Sequence, residues 1–261
     1  MSNDPMTKAE AKPSGVGSTG EASRSAVIFF RGVAGAVIGG ITGYFLFHTL
    51  ATRGAFGYAM CSDAFQYIWT KRQFVGELCR LVDAPEPGAV VINHTHNQLT
   101  WSPSHGQPLS PQGYRELFET IEPRLYGEAG LFADVVKGGP LDLSRQDTPE
   151  ALAGDPALTI VASRDRRVYR AHPLGAPAGV RGELRINPLY RIESAGEQLR
   201  LSLQFPNDDY ADEYGACRQY LPDETLVERA LVEALAAGRV PPEAAELIRR
   251  RVVVDLPRRY Y

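Results

Sequence analysis

Between Tyr58 and Asn97 the hydrophobic pattern changes period twice, and this stretch restricts the fold more tightly than any other. Tyr58 to Cys61 is a short apolar run that ends in a polar elbow at Ser62 and Asp63. Thr70 and Gln73 have the spacing of a T-x-x-Q capping box. Phe74, Val75, Leu78, Leu81 and Val82 then recur with helical period, which predicts a helix over about Lys71 to Val82. Pro85, Pro87 and Gly88 break it, and Ala89 to Ile92 is apolar and short enough for a buried strand. Strand, helix and strand make a βαβ unit, whose strands should run parallel with a right-handed crossover.

That geometry singles out one edge. Ligands of open α/β sheets lie outside the carboxyl ends of the strands. Asp63 follows the first strand, and His94, Thr95, His96 and Asn97 follow the second, so one polar cluster should face one rim.

The segment Cys61-Ser62-Asp63-Ala64-Phe65-Gln66-Tyr67-Ile68-Trp69, the helix, and Val90-Val91-Ile92-Asn93-His94-Thr95-His96-Asn97 together resemble the back half of a class I S-adenosylmethionine-dependent methyltransferase. The matching parts are that family's fourth strand, the helix after it and its fifth strand, with the best likeness between residues 61 and 165. The resemblance implies S-adenosylmethionine as cofactor, with Cys61, Ser62 and Asp63 on the cofactor side. It implies His94 or His96 as general base, an imidazole being able to take a proton near neutral pH. Asn97, Trp101 and His105 would wall the pocket of an unidentified methyl acceptor. The family's glycine-rich loop after its first strand and the acid ending its second cannot be placed here. Gly15-Val16-Gly17-Ser18-Thr19-Gly20 follows no strand and reads as a chance match.

Two other chemistries compete. His94 and His96 at i and i+2 lie on one strand face and could supply two zinc ligands for metal-assisted hydrolysis, with His105 or Asp63 as a third. A non-enzymatic, membrane-tethered binding fragment is the remaining alternative. No metal is assigned by the preferred reading.

Residues 1–24 contain no aromatic side chain and should form a disordered tail. From Gly32 to Thr52 there is no charged residue, a length that as a helix matches a bilayer core of about 30 Å. Residues 25–53 therefore read as a single transmembrane segment, with a membrane as partner and the orientation left open. Gly35, Gly39 and Gly43 share a face where a second helix could approach closely. Net charge of -3 and a pI near 6 argue against a general nucleic-acid binder. Cys61, Cys79 and Cys217 have no metal or disulfide spacing and suit buried thiols.

Ser110 with Pro111 opens a helix carrying Tyr114, Leu117, Phe118 and Ile121. Strands are expected near Arg124–Phe132 and Leu158–Ala162, completing the sheet with the antiparallel last pair that the resemblance implies; 137–155 reads as a loop. Alternation over Leu184–Ile192 and Leu199–Phe205, about a turn at Ser194–Glu197, predicts a hairpin. Helices at about Glu224–Ala237 and Glu243–Arg250 and a last strand at Val252–Val254 follow. The acidic run Asn207–Glu213 reads as a solvated face. The expected fold is α/β, a partial Rossmann-like methyltransferase sheet (54–165), a linker (166–180) and an appended α+β module (181–261), behind one transmembrane helix.

Overall fold

The computed structural model describes residues 53–174 and 182–257. In chain order the elements are β1 (Tyr58–Ser62), α1 (Lys71–Leu81), β2 (Ala89–His96), α2 (Pro111–Arg115), β3 (Pro123–Gly127), α3 (Glu128–Val136), β4 (Leu141–Asp142), α4 (Pro149–Gly154), β5 (Ala157–Ser163) and β6 (Ala171–His172). There follow β7 (Glu183–Ile186), β8 (Tyr190–Ala195), β9 (Gln198–Leu203), α5 (Asp208–Tyr214), β10 (Glu224–Glu228), α6 (Arg229–Ala236), α7 (Ala244–Arg249) and β11 (Val253–Leu256).

The strand–helix–strand unit is present, with β1 and β2 parallel from Tyr58↔Ala89 to Ser62↔Asn93. α1 lies where the apolar period places it: Phe74, Val75 and Leu78 are buried against Val90 and Ile92 of β2 and Ala59 and Cys61 of β1. Thr70 is its N-cap, but the threonine side chain makes no capping hydrogen bond, so the T-x-x-Q pattern does not act as a capping box. Gly88 enters β2 where a Cβ would meet the Gly57 carbonyl oxygen at 2.5 Å, so only glycine permits this approach. β5 then pairs antiparallel with β2, and β3 antiparallel with β5, giving the order β1-β2-β5-β3. The other face of this sheet is covered by Tyr126, Leu131, Leu143 and Val161.

Several expectations are corrected. The fold is mixed α/β with small sheets of four, three, two and two strands, and among the pairs of named strands in the described residues only β1–β2 is parallel. One parallel pair does not establish the expected partial Rossmann-like methyltransferase sheet. No helix among the described residues is long and apolar enough to cross a membrane, which overturns the expected transmembrane element and the single-pass membrane assignment. A span needs about 20 apolar residues, and α1 has 11 with charged residues among them. The charge-free run Gly32–Thr52, with Gly35, Gly39 and Gly43, and the expected disordered tail 1–24 lie outside the described residues.

Locally, the expected strand Arg124–Phe132 is β3 followed by α3, and the expected loop 137–155 contains β4 and α4. The expected helix Glu224–Ala237 begins as strand β10, pairing with β9, and becomes helical only at Arg229. Short apolar runs without a clear period are ambiguous between strand and helix, and pairing decides. The hairpin is β8–β9, joined by a turn with Gly196 at φ 67°, while β7 leaves it to pair with β11. A second core of Tyr190, Leu201, Val227 and Val252 holds this carboxyl-terminal part together.

Candidate metal centre

At the rim where β1 and β2 end, two non-glycine residues adopt left-handed backbone: Asp63 at φ 48° and His94 at φ 51°. Aspartate and histidine tolerate this region better than most residues, yet such positions cost energy and concentrate at functional sites. Beside His94 the β2–β5 register shifts: Ile92 pairs with Ile160 but Thr95 pairs with Leu158, one extra residue on β2. That bulge bends β2 and re-aims its side chains. Asp63 N–H donates to the Asn93 carbonyl, which locks the end of β1 onto the bulge.

As a result, one ligand atom from each of Asp63, His94 and His96 lies within 4.8 Å of the others. His94 Nδ1 donates to Glu128 Oε2 at 2.5 Å, the carboxylate at the start of α3 being able only to accept. The neutral ring then presents its lone pair at Nε2, which is buried without a partner. Burial lowers the His94 pKa, but the hydrogen bond and charge of Glu128, with Asp63 and Glu213 adding, outweigh it and leave the value raised. His96 is 2% exposed, and neither of its ring nitrogens closes a hydrogen bond of good geometry. Its pKa is lowered, by burial first and then by the charge of His94, against the pull of Glu213 and Asp63.

Orphaned polar atoms are otherwise rare in proteins and each calls for an explanation. Among the described residues the buried side-chain nitrogens and oxygens without a partner belong to Gln66, Asn93, His94, His96, Ser102 and His105. These residues lie on the turn after β1, the end of β2 or the loop that follows it. Leaving a buried nitrogen unpaired costs about 1–3 kcal/mol, a cost that a bound ligand would remove.

The carboxyl-terminal part closes the rim. The Tyr214 ring at the end of α5 stacks on His94, with centroids 5.8 Å apart and planes at 12°. Glu213 Oε1 lies 4.0 Å from His96 Nε2, and the Glu213 carboxylate accepts the Ser104 hydroxyl at 2.6 Å. The acidic run Asn207–Glu213 is thus more than a solvated face. Glu128, Glu213 and Tyr214 were invisible to motif reasoning because each arrives from an element distant in sequence. The one signal available was the acidic residue opening the apolar segment at Glu128.

The remaining expected site residues divide. Asp63, His94 and His96 come together. Cys61 does not reach the rim: it is fully buried in the core, and burial together with the Asp63 charge pushes its thiol up to about 12. Ser62 accepts from Asn93 Nδ2 at 3.1 Å, tying the two strands together. Asn97 is fully buried, with its amide nitrogen donating to the Leu152 and Asp155 carbonyls, so it anchors the sheet to α4 rather than lining a pocket. Trp101 is 61% exposed, and His105 has its backbone beside the His96 ring but is not part of the three-residue cluster.

The residues suit a divalent transition metal. Two imidazoles and one carboxylate, with positions left open, are a recurring catalytic ligand set. Glu128 on the distal nitrogen of His94 has the role of the outer-shell carboxylate that fixes a metal-binding imidazole. Of the three residues that the resemblance puts on the cofactor side, Cys61 is in the core and Ser62 is engaged with Asn93, which leaves Asp63 at the rim. No protein-family model, curated protein or solved structure matches the chain, so the site is read from its own geometry.

Proposed function

We infer that this chain is a metal-dependent enzyme whose centre is Asp63, His94 and His96, and that its reaction class is hydrolysis. The observation that carries the reading is the convergence of three ligand atoms within 4.8 Å, with His94 Nε2 and both His96 ring nitrogens buried and without a hydrogen-bond partner. Ligands at about 2.0–2.1 Å around a tetrahedral ion lie about 3.4 Å apart, so the cluster needs only a small contraction to close. An ion held there would act as a Lewis acid and activate a water. Glu128 would hold the His94 tautomer, and Glu213, against His96 and the Ser104 hydroxyl, is placed to take up a proton.

The test is metal analysis of the full-length chain after dialysis, beside the Asp63→Asn variant. Asparagine tolerates the same left-handed backbone, so this change removes the ligand charge and leaves the fold. About one equivalent of zinc, iron, cobalt or manganese is expected in the parent chain and little in the variant. Less than a tenth of an equivalent in the parent chain, after purification in metal-supplemented medium, would sink the reading.

A second reading, S-adenosylmethionine-dependent methyl transfer, is favoured by one observation. β1 and β2 are parallel neighbours with Asp63 and His94 at their carboxyl ends, and β5 and β3 add the antiparallel pair that the resemblance implies. It needs the missing cofactor walls from elsewhere, such as a partner chain. Calorimetric titration with S-adenosylmethionine separates the two: saturable heat unaffected by a chelator favours methyl transfer, and its absence favours the metal centre.

A further inference from the structure

Away from the rim, a cavity of about 530 Å³ opens beside the outer strand β3 and the end of β5. Small-molecule sites commonly fall between about 300 and 1,000 Å³. Its wall carries five guanidinium groups, Arg115, Arg124, Arg145, Arg164 and Arg166, against the two carboxylates of Glu122 and Asp147. Some of that charge is spent within the fold. Arg145 pairs with Asp147 at 2.7 Å and Asp134 at 2.6 Å, and Arg164 pairs with Asp83. Arg124 is held differently: it donates to the Leu143 and Ser144 carbonyls and lies over the Tyr169 ring, 4.2 Å from its centroid, which fixes the guanidinium without neutralising it. Arg115 and Arg166 form no side-chain hydrogen bond or ion pair among the described residues.

A concave wall with this excess of positive charge focuses its field into the cavity. The planar fork of arginine matches phosphate oxygens two at a time, and one pre-ordered arginine flanked by two uncommitted ones suits a ligand bearing more than one anionic oxygen group. We propose that this cavity is a binding site for a small phosphorylated molecule, with Arg124 as the fixed anchor and Arg115 and Arg166 closing on the phosphoryl groups. The site is separate from the metal centre and does not depend on it.

The experiment is calorimetric titration of the full-length chain with inorganic pyrophosphate, ATP and glucose 6-phosphate, with citrate as a polyanion lacking phosphorus, all in the presence of a chelator. Saturable binding of at least one phosphate ligand, tighter than citrate, is expected, and the ranking among the three tells nucleotide from sugar phosphate. The Arg115→Ala, Arg166→Ala double variant should weaken it about tenfold or more, the loss expected of charge-assisted hydrogen bonds. These two arginines serve no structural pair, so folding is retained and is checked by circular dichroism. The double lysine variant keeps the charge, loses the fork, and should fall between. No heat with any phosphate ligand at 10 mM, citrate binding as tightly, or an unchanged affinity in the alanine variant would overturn the assignment.

Discussion

Single residues at the rim combine left-handed backbone, at Asp63 and His94, with buried side-chain nitrogens that have no partner. Glu128 supports them, because its only evident task is to hold His94. Glu128→Gln should retain the fold and lower metal affinity about 10–100-fold, the usual effect of losing an outer-shell carboxylate, measured by competition with a chromophoric chelator. A second residue, Lys71, tests burial without touching the centre. Its ammonium donates to the Ile68 carbonyl at 2.6 Å, and desolvation pulls its pKa down to about 8 from 10.5. Between those values the unfolded chain holds a proton that the native chain has released. Stability from this group is therefore full above pH 10.5 and is lost as pH falls through 8. Urea unfolding should show stability rising with pH across that window by at most about 1.4 kcal/mol per unit, the limit for one proton. Lys71→Met should abolish that part of the slope.

Among the elements, α1 and the β2 bulge do different work. α1 is a packing element: Leu78 is 1% exposed and sits in the main core. Leu78→Ala should cost about 2–5 kcal/mol in urea unfolding, with metal binding in the folded fraction unchanged. The bulge at Asn93–His94 is a positioning element, since it opens the register and turns the chain towards Asp63. The period-2 rule placed His94 and His96 on one face, and the structure has their ring centroids 6.0 Å apart. The bulge itself left no trace in the sequence. Bulges arise where the pairing partner, here β5, demands one residue fewer, and that partner is about 60 residues away in the chain.

For the whole molecule, the decisive contact is between the carboxyl-terminal part and the rim. An independent appended module would leave the centre open, whereas α5 lays Tyr214 on His94 and brings Glu213 to His96. Excluding water from such a site strengthens every electrostatic interaction inside it. Tyr214→Ala should let EDTA strip the metal faster in a stopped-flow assay while leaving the bound stoichiometry at one. An unchanged rate would mean that α5 covers nothing.

The sequence by itself determined the local unit: β1, α1 and β2, their parallel pairing, and the emergence of Asp63, His94 and His96 on one rim. Hydrophobic period and chain direction are local properties, and they suffice for that. It misassigned β10 and α3, because a short apolar run takes its conformation from whichever strand pairs with it. Only the tertiary structure decided that Cys61 and Asn97 are internal, and that Glu128, 34 residues from His94, is its partner. It likewise gave Glu213, 109 residues from Ser104, a place at the centre. Contacts at such separations depend on how the elements pack and pair, and no window along the chain contains both of their halves.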